Sequence, residues 1–152
     1  WCVVVSHGGE EFAPLPNPYT RDRYLKFLEL GADAVVAHHT HVPENYELFD
    51  DGKAIFYSLG NFIFQTDTVA LQPWDAYANR NLPLTMKVGA YMDDRSKNGT
   101  QGYCVQWPIW NAVMAAWTME DGEITEVDCC YGNCVYQSNC PIAKEISKLD
   151  HA

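Results

Sequence analysis

Three histidines stand within four positions, His38, His39 and His41, directly after the apolar run Ala34-Val35-Val36-Ala37. A fourth, His7, follows a second apolar run, Val3-Val4-Val5. Neutral imidazole is the commonest protein metal ligand and titrates near physiological pH. Four histidines just past the ends of two strand-like segments therefore point to a metal site. In His39-Thr40-His41, two imidazoles at i and i+2 of an irregular loop can reach two ions side by side or share one. That pair alone is a weak signal, because a single histidine is more often a hydrogen-bonded core or surface residue. His7 at the same expected edge strengthens it. Glu10 and Glu11 lie close to His7 and can serve as a ligand, as a group orienting a ligand, or as a general base. Their plain alternative is two solvated loop carboxylates, and it suits at least one of them.

These side chains need a scaffold. Cys2 to Ser6 is rich in β-branched residues and reads as a strand buried on both faces. The loop His7-Gly8-Gly9-Glu10-Glu11-Phe12 leaves it, and Pro14, Pro16 and Pro18 keep the chain extended. Thr20 is the expected N-cap of a helix ending at Gly31. Tyr24, Phe27, Leu28 and Leu30 form its apolar stripe, and Arg21, Arg23 and Lys26 its wet side. Asp33 to Ala37 is the next strand. A strand, helix and strand in about 37 residues make a βαβ unit with parallel strands. Both histidine loops then leave the carboxyl edge of one sheet, where open α/β sheets bind ligands. Loops about thirty residues apart in sequence should converge in space.

Beyond the histidines, Asn45–Phe49 and Ala54–Ser58 flank Asp50-Asp51-Gly52-Lys53, a hairpin signal. Leu59-Gly60-Asn61-Phe62 is a tight turn returning to the histidine edge. Residues 65–85 read as an irregular insertion containing a short helix, and Leu84 to Met92 alternates like a strand. Ala112–Met119, Glu120-Asp121-Gly122 and Glu123–Asp128 form a second hairpin with one buried face. Asn98-Gly99-Thr100 matches a glycosylation sequon and is read as a chance match.

The 152 residues amount to about one domain, with 47% hydrophobic and 20% charged residues, so the chain is globular rather than disordered. A net charge of −10 argues against nucleic acid as a partner, because phosphate binding needs clustered Lys and Arg. It also disfavours an anionic substrate unless a bound metal supplies positive charge. The chain opens at Trp1 inside an apolar run, and Ile142–Leu149 reads as a helix just begun, so a fragment or processed form of a longer protein is expected. Four of six cysteines, Cys129, Cys130, Cys134 and Cys140, fall in a tail over 129–152, the other two being Cys2 and Cys104. They imply disulfides and an oxidising compartment. Zinc through Cys130, Cys134 and Cys140 and buried free thiols are the alternatives.

Three motifs in order carry a resemblance. They are Val3-Val4-Val5-Ser6-His7-Gly8-Gly9-Glu10-Glu11-Phe12, then Gly31 to Glu44 around His38-His39-Thr40-His41, then Gly52-Lys53-Ala54-Ile55-Phe56-Tyr57-Ser58-Leu59-Gly60-Asn61-Phe62. Together they resemble the CapA family of capsule-synthesis, poly-γ-glutamate-biosynthesis proteins, in the calcineurin-like metallophosphoesterase superfamily. The resemblance implies an α/β fold, a metallophosphoesterase-like α-β-β-α sandwich of which residues 1–152 are the C-terminal half. It implies His7, His39 and His41 as metal ligands, with His7 and His39 on one ion and His41 serving or bordering another. It implies catalytic roles for His7, Glu11 and His41, and supporting or structural roles for Glu10, His38 and Asn61. Two divalent ions (Mn, Fe or Zn) are the implied cofactors. The chain departs from the family at Gly8, where a tryptophan is common, and at Ala37-His38, where Gly-His is frequent. It also lacks the superfamily's first half, which carries the remaining ligands.

The resemblance makes a metal-dependent hydrolase the leading reading, acting on a phosphoester or an anionic polymer. The second is a non-catalytic polymer-binding or assembly module of capsule export with a degenerate site. Partners would be the missing N-terminal half and a membrane-bound capsule-synthesis complex, at the cell envelope or outside the cytoplasm. A disulfide-stapled extracellular domain with an incidental histidine cluster is the third reading.

Overall fold

The computed structural model describes residues 1–64, 72–121 and 123–133, the last four as backbone only. The described residues divide into two compact units, 1–62 with 108–133, and 63–64 with 72–107.

The first unit is built on a four-stranded sheet of order β1-β2-β4-β3. Its strands are β1 (Val3–His7), β2 (Ala34–His38), β3 (Tyr46–Leu48) and β4 (Ala54–Phe56). β1 and β2 are parallel, with Val3 opposite Ala34 and His7 opposite His38. β2 and β4 are also parallel, and β3 returns antiparallel to β4 through the Asp-Gly turn. The parallel βαβ unit and the first hairpin thus form as the sequence predicts.

The crossover helix α1 (Pro18–Glu29) starts earlier than expected. Asn17, not Thr20, is its N-cap: the Thr20 amide donates to Asn17 Oδ1 at 2.8 Å, and Pro18 takes the first turn. Proline's fixed φ suits that position, and its missing N–H would be unsatisfied there anyway. Tyr24 and Leu28 face the sheet and pack with Val35, Ala37, Ile55 and Tyr57. Full burial of a side chain such as Val35 or Ile55 stabilises by about 1.5–3 kcal/mol. Arg21 donates twice to Glu47, at 2.7 Å each, and the buried Tyr57 hydroxyl donates to Glu47 Oε1 at 2.7 Å. That network ties α1 to the β3–β4 hairpin. The Arg21 hydrogen bonds hold the Glu47 carboxyl below its usual range, and burial, then Glu47, pushes the Tyr57 hydroxyl up.

The opposite face carries Val36, Ala54 and Phe56, covered by a second hairpin, β5 (Asn111–Glu120) and β6 (Glu123–Asn133). Phe56 and Trp117 stack with ring centres 5.3 Å apart. The hairpin is pinned by Val113 N to Leu59 O at 2.8 Å and Ile124 N to Gly52 O at 2.7 Å. Gly52 (φ +72°) is required there, because a Cβ would lie 2.7 Å from Glu123 Cα.

β1 departs from expectation. It is the sheet edge, with Val3 41% and Val5 72% exposed, rather than a strand buried on both faces. An all-apolar run identifies a strand but not its place in the strand order.

In the second unit, Leu84–Met92 is not a strand. Val88–Ser96 is helix α3, following the short helix α2 (Trp74–Ala78) in the expected insertion. Tyr77, Val88, Tyr91 and Met92 form its core, and Arg80 pairs with Asp94 at 2.7 Å. A 3₁₀ turn follows at Gly102–Val105. The sequon triplet lies in the turn after α3, where Lys97 adopts a left-handed φ of 47°. Cys2 is exposed, Cys104 buried and Cys129 half-buried. The expectations for residues 65–71, for the side chains of Cys130, Cys134 and Cys140, and for the Ile142–Leu149 helix fall outside the described residues.

Candidate metal centre at the histidine edge

The two loops meet at the carboxyl edge of β1 and β2. Two backbone hydrogen bonds carry the strand pairing past the sheet, Gly8 N to His38 O at 3.0 Å and Phe12 N to Thr40 O at 2.7 Å. Thr40 is fully buried and donates its hydroxyl to Val42 O at 2.8 Å. The loops are tightly bent: Phe12 (φ 64°), His39 (φ 113°) and His41 (φ 62°) all occupy the left-handed side. A non-glycine residue there costs about 1–3 kcal/mol, and such strain clusters where side chains are held for function.

That bend brings His7 and His39 together. His39 Nδ1 lies 3.1 Å from His7 Nε2, with ring centres 4.7 Å apart. One ring must donate while the other accepts, or both must face a shared cation. The spacing fits the second arrangement too, since two nitrogens each about 2.1 Å from one ion lie roughly 3 Å apart. His7 and His39 thus suit one divalent ion as a donor pair. Among the described residues, no group of three His, Cys, Asp or Glu side chains is close enough to hold an ion.

His41 has a different neighbour. Its Nδ1 is 2.9 Å from Asn61 Oδ1, while Asn61 Nδ2 donates to His41 O and Ile109 O, each at 3.1 Å. Two carbonyl acceptors fix the amide's orientation, so Oδ1 accepts and His41 Nδ1 carries the proton. Nε2 is then the nitrogen able to take a proton or an ion. Phe12 stacks on the imidazole at 5.9 Å. The Leu59–Phe62 turn therefore returns to the histidine edge as read. Gly60 makes the approach possible: at φ +72°, a Cβ would lie 2.5 Å from Asn111 O.

His38 is opposite His7 in register and half-buried. Burial, then the neighbouring His7, holds its imidazole below the usual range, so it is neutral at pH 7. Glu10 and Glu11 are exposed, with no side-chain hydrogen bond or ion pair among the described residues. The structure does not bring them onto the histidines.

Glu44 was not singled out from the sequence. Burial pushes its carboxyl up to about 7, three positions beyond His41. Nothing in the run His41-Val42-Pro43-Glu44 reveals this, because the burial comes from the fold.

Comparison with known proteins bears on this same stretch. Residues 1–66 match the model of the family described as Bacterial capsule synthesis protein PGA_cap. The PGA biosynthesis protein CapA of Bacillus subtilis (strain 168) is 47% identical over 62 residues, covering 41% of this chain and 16% of that protein. The capsule biosynthesis protein CapA of Bacillus anthracis is 42% identical over 62 residues, covering 41% of this chain and 15% of that protein. The matched stretch thus spans about a sixth of the length of these curated relatives.

Proposed function

We propose that the histidine edge is part of a divalent-metal hydrolase site acting in capsule or poly-γ-glutamate synthesis at the cell envelope, a reading supported by the match of residues 1–66 to a capsule-synthesis family model and by the similarity to two CapA proteins over 62 residues. The observation that carries this reading is the His7–His39 pair, two imidazole nitrogens 3.1 Å apart at the carboxyl edge of parallel strands. In this reading the sheet, α1 and the β5–β6 hairpin belong to a metallophosphoesterase-like α-β-β-α sandwich, completed by residues outside this chain. His7 and His39 hold one ion, and His41 serves or borders a second.

Bound divalent ions would polarise a substrate oxygen and activate water near neutral pH. The chain's own residues do the rest. Asn61 holds His41 with its proton on Nδ1, so Nε2 can exchange a proton with the leaving group. Neutral His38 adds no positive charge beside His7. Glu11 joins no three-residue group of ligating side chains with His7 and His39 among the described residues.

One observation favours a second reading, a polymer-binding or assembly module without turnover: no third ligand joins His7 and His39 among the described residues. Turnover separates the two. The full-length protein would be assayed on bis(p-nitrophenyl) phosphate with Mn²⁺, Fe²⁺ or Zn²⁺, with and without chelator. The hydrolase reading expects metal-dependent turnover, lost with chelator and in His41→Ala. Absence of turnover with each metal would leave the binding module.

A further inference from the structure

Four basic side chains belong to the first unit: Arg21, Arg23, Lys26 and Lys53. Arg21 pairs with Glu47, Lys26 with Glu29 and Lys53 with Asp51. Arg23 has no carboxylate partner among the described residues, in a chain whose 20 acidic residues outnumber its 10 basic ones. Yet it is held. Its Cζ lies 5.6 Å from the ring centres of both Tyr19 and Tyr24. Such aromatic contacts stabilise by about 0.5–1 kcal/mol at an exposed site and leave the guanidinium edge able to donate.

Its position is specific. A Cβ on Gly8 would lie 3.1 Å from Arg23 Nη2 and 3.8 Å from Tyr24 Oη. Tyr24 is fully buried and donates to Gly8 O at 3.2 Å. Gly8 follows His7 directly and is latched to His38 O. The guanidinium therefore stands against the loop that carries the His7–His39 pair, in space that a side chain at position 8 would take. A planar fork of N–H donors fixed by stacking suits an oxyanion, because Arg–carboxylate and Arg–phosphate contacts are bidentate and charge-assisted.

We infer that Arg23 reads an anionic group of the substrate, a carboxylate or a phosphoryl, beside the histidine edge, and that Gly8 stays small to admit it. The inference rests on the proposed function only in taking that edge as the substrate's place; anion binding by Arg23 needs no metal.

The test is a titration of the 152-residue chain in chelator, followed through the Arg23 Nε–Hε resonance in the proteins that keep Arg23 and through the His7 backbone amide resonance in all of them. Inorganic phosphate and glutarate are the two probes, applied to wild type, R23K, R23Q and G8A. One or both anions should shift the Arg23 signal. R23Q should weaken binding about tenfold or more, R23K less, and G8A should weaken it with Arg23 intact, since the methyl crowds the guanidinium. Preference for phosphate assigns a phosphoryl group, and preference for glutarate a carboxylate. An Arg23 signal that neither anion moves, or R23Q binding as tightly as wild type, overturns the inference. Arg23-dependent binding without metal-dependent turnover would leave this inference standing and remove the hydrolase. Metal-dependent turnover with kcat and KM unchanged in R23Q would do the reverse.

Discussion

Two histidine pairings share one sheet edge and differ in kind. His7 and His39 face each other, nitrogen to nitrogen at 3.1 Å. His41 faces an amide that is itself tied to two backbone carbonyls. The first arrangement is a hydrogen bond between two ring nitrogens, read under the proposed function as a pair that shares a cation. The second fixes a tautomer and a ring position. One pair is held only by its own two rings, and the other is fixed by a backbone-anchored amide.

The strongest disturbance of the fixed side is Gly60→Ala. It forces a Cβ to within 2.5 Å of Asn111 O at φ +72°, which should cost more than about 2 kcal/mol. Urea unfolding should show that loss, and His41 should shift in NMR spectra because Asn61 is the next residue. Wild-type stability in Gly60→Ala would mean that the β5 contact carries no constraint.

Asn61→Ala comes next. It leaves His41 O and Ile109 O without their donor, for a loss of about 1–3 kcal/mol, and frees the His41 ring to change tautomer. Metal affinity of the full site should fall by about 10–100-fold, the usual effect of removing a group that orients a ligand. If instead His41 serves no ion, calorimetric titration with Mn²⁺ will show unchanged affinity. Asn61→Asp separates the two functions, since a carboxylate keeps the acceptor for Nδ1 but loses both donors.

The smallest effect is in pH dependence. Burial raises the Glu44 carboxyl to about 7 from its usual 4.5. The unfolded chain therefore releases this proton at lower pH than the folded one, so Glu44 makes stability fall as pH rises from 4.5 to about 7. Glu44→Gln removes that component: the variant should gain stability relative to wild type between pH 5 and pH 8. Parallel melting curves at the two pH values would refute the burial of this carboxyl. Glu47 acts with opposite sign. Its depressed folded value supports stability above 4.5, lost as pH falls through the lower folded value.

Much of the site was legible because its signals are local. Val3-Val4-Val5 and Ala34-Val35-Val36-Ala37 are apolar runs with a helix between them, and the rule that ligands sit at the carboxyl edge of parallel strands brought His7 to His39. Asn17-Pro18 was misread because three prolines suggested a continuous loop, whereas proline also opens helices. Leu84–Met92 was misread for a periodic reason. Val88 and Met92 are four apart, a spacing that serves both a strand face and a helix face. Buried Tyr91, at i+3 from Val88, breaks that tie in favour of helix α3. The exposed edge position of β1, the burial of Glu44 and the placement of Arg23 against Gly8 depend on strand order and helix docking. No short stretch of sequence carries those.

Elemental analysis of the full-length protein for Mn, Fe and Zn, beside its His39→Ala and His41→Ala variants, decides whether His7 and His39 share a divalent ion. Bound divalent metal is expected in wild type, lost in His39→Ala and retained at reduced level in His41→Ala. Equal metal content in wild type and His39→Ala, or none in wild type after metal-replete purification, would rule out the shared ion.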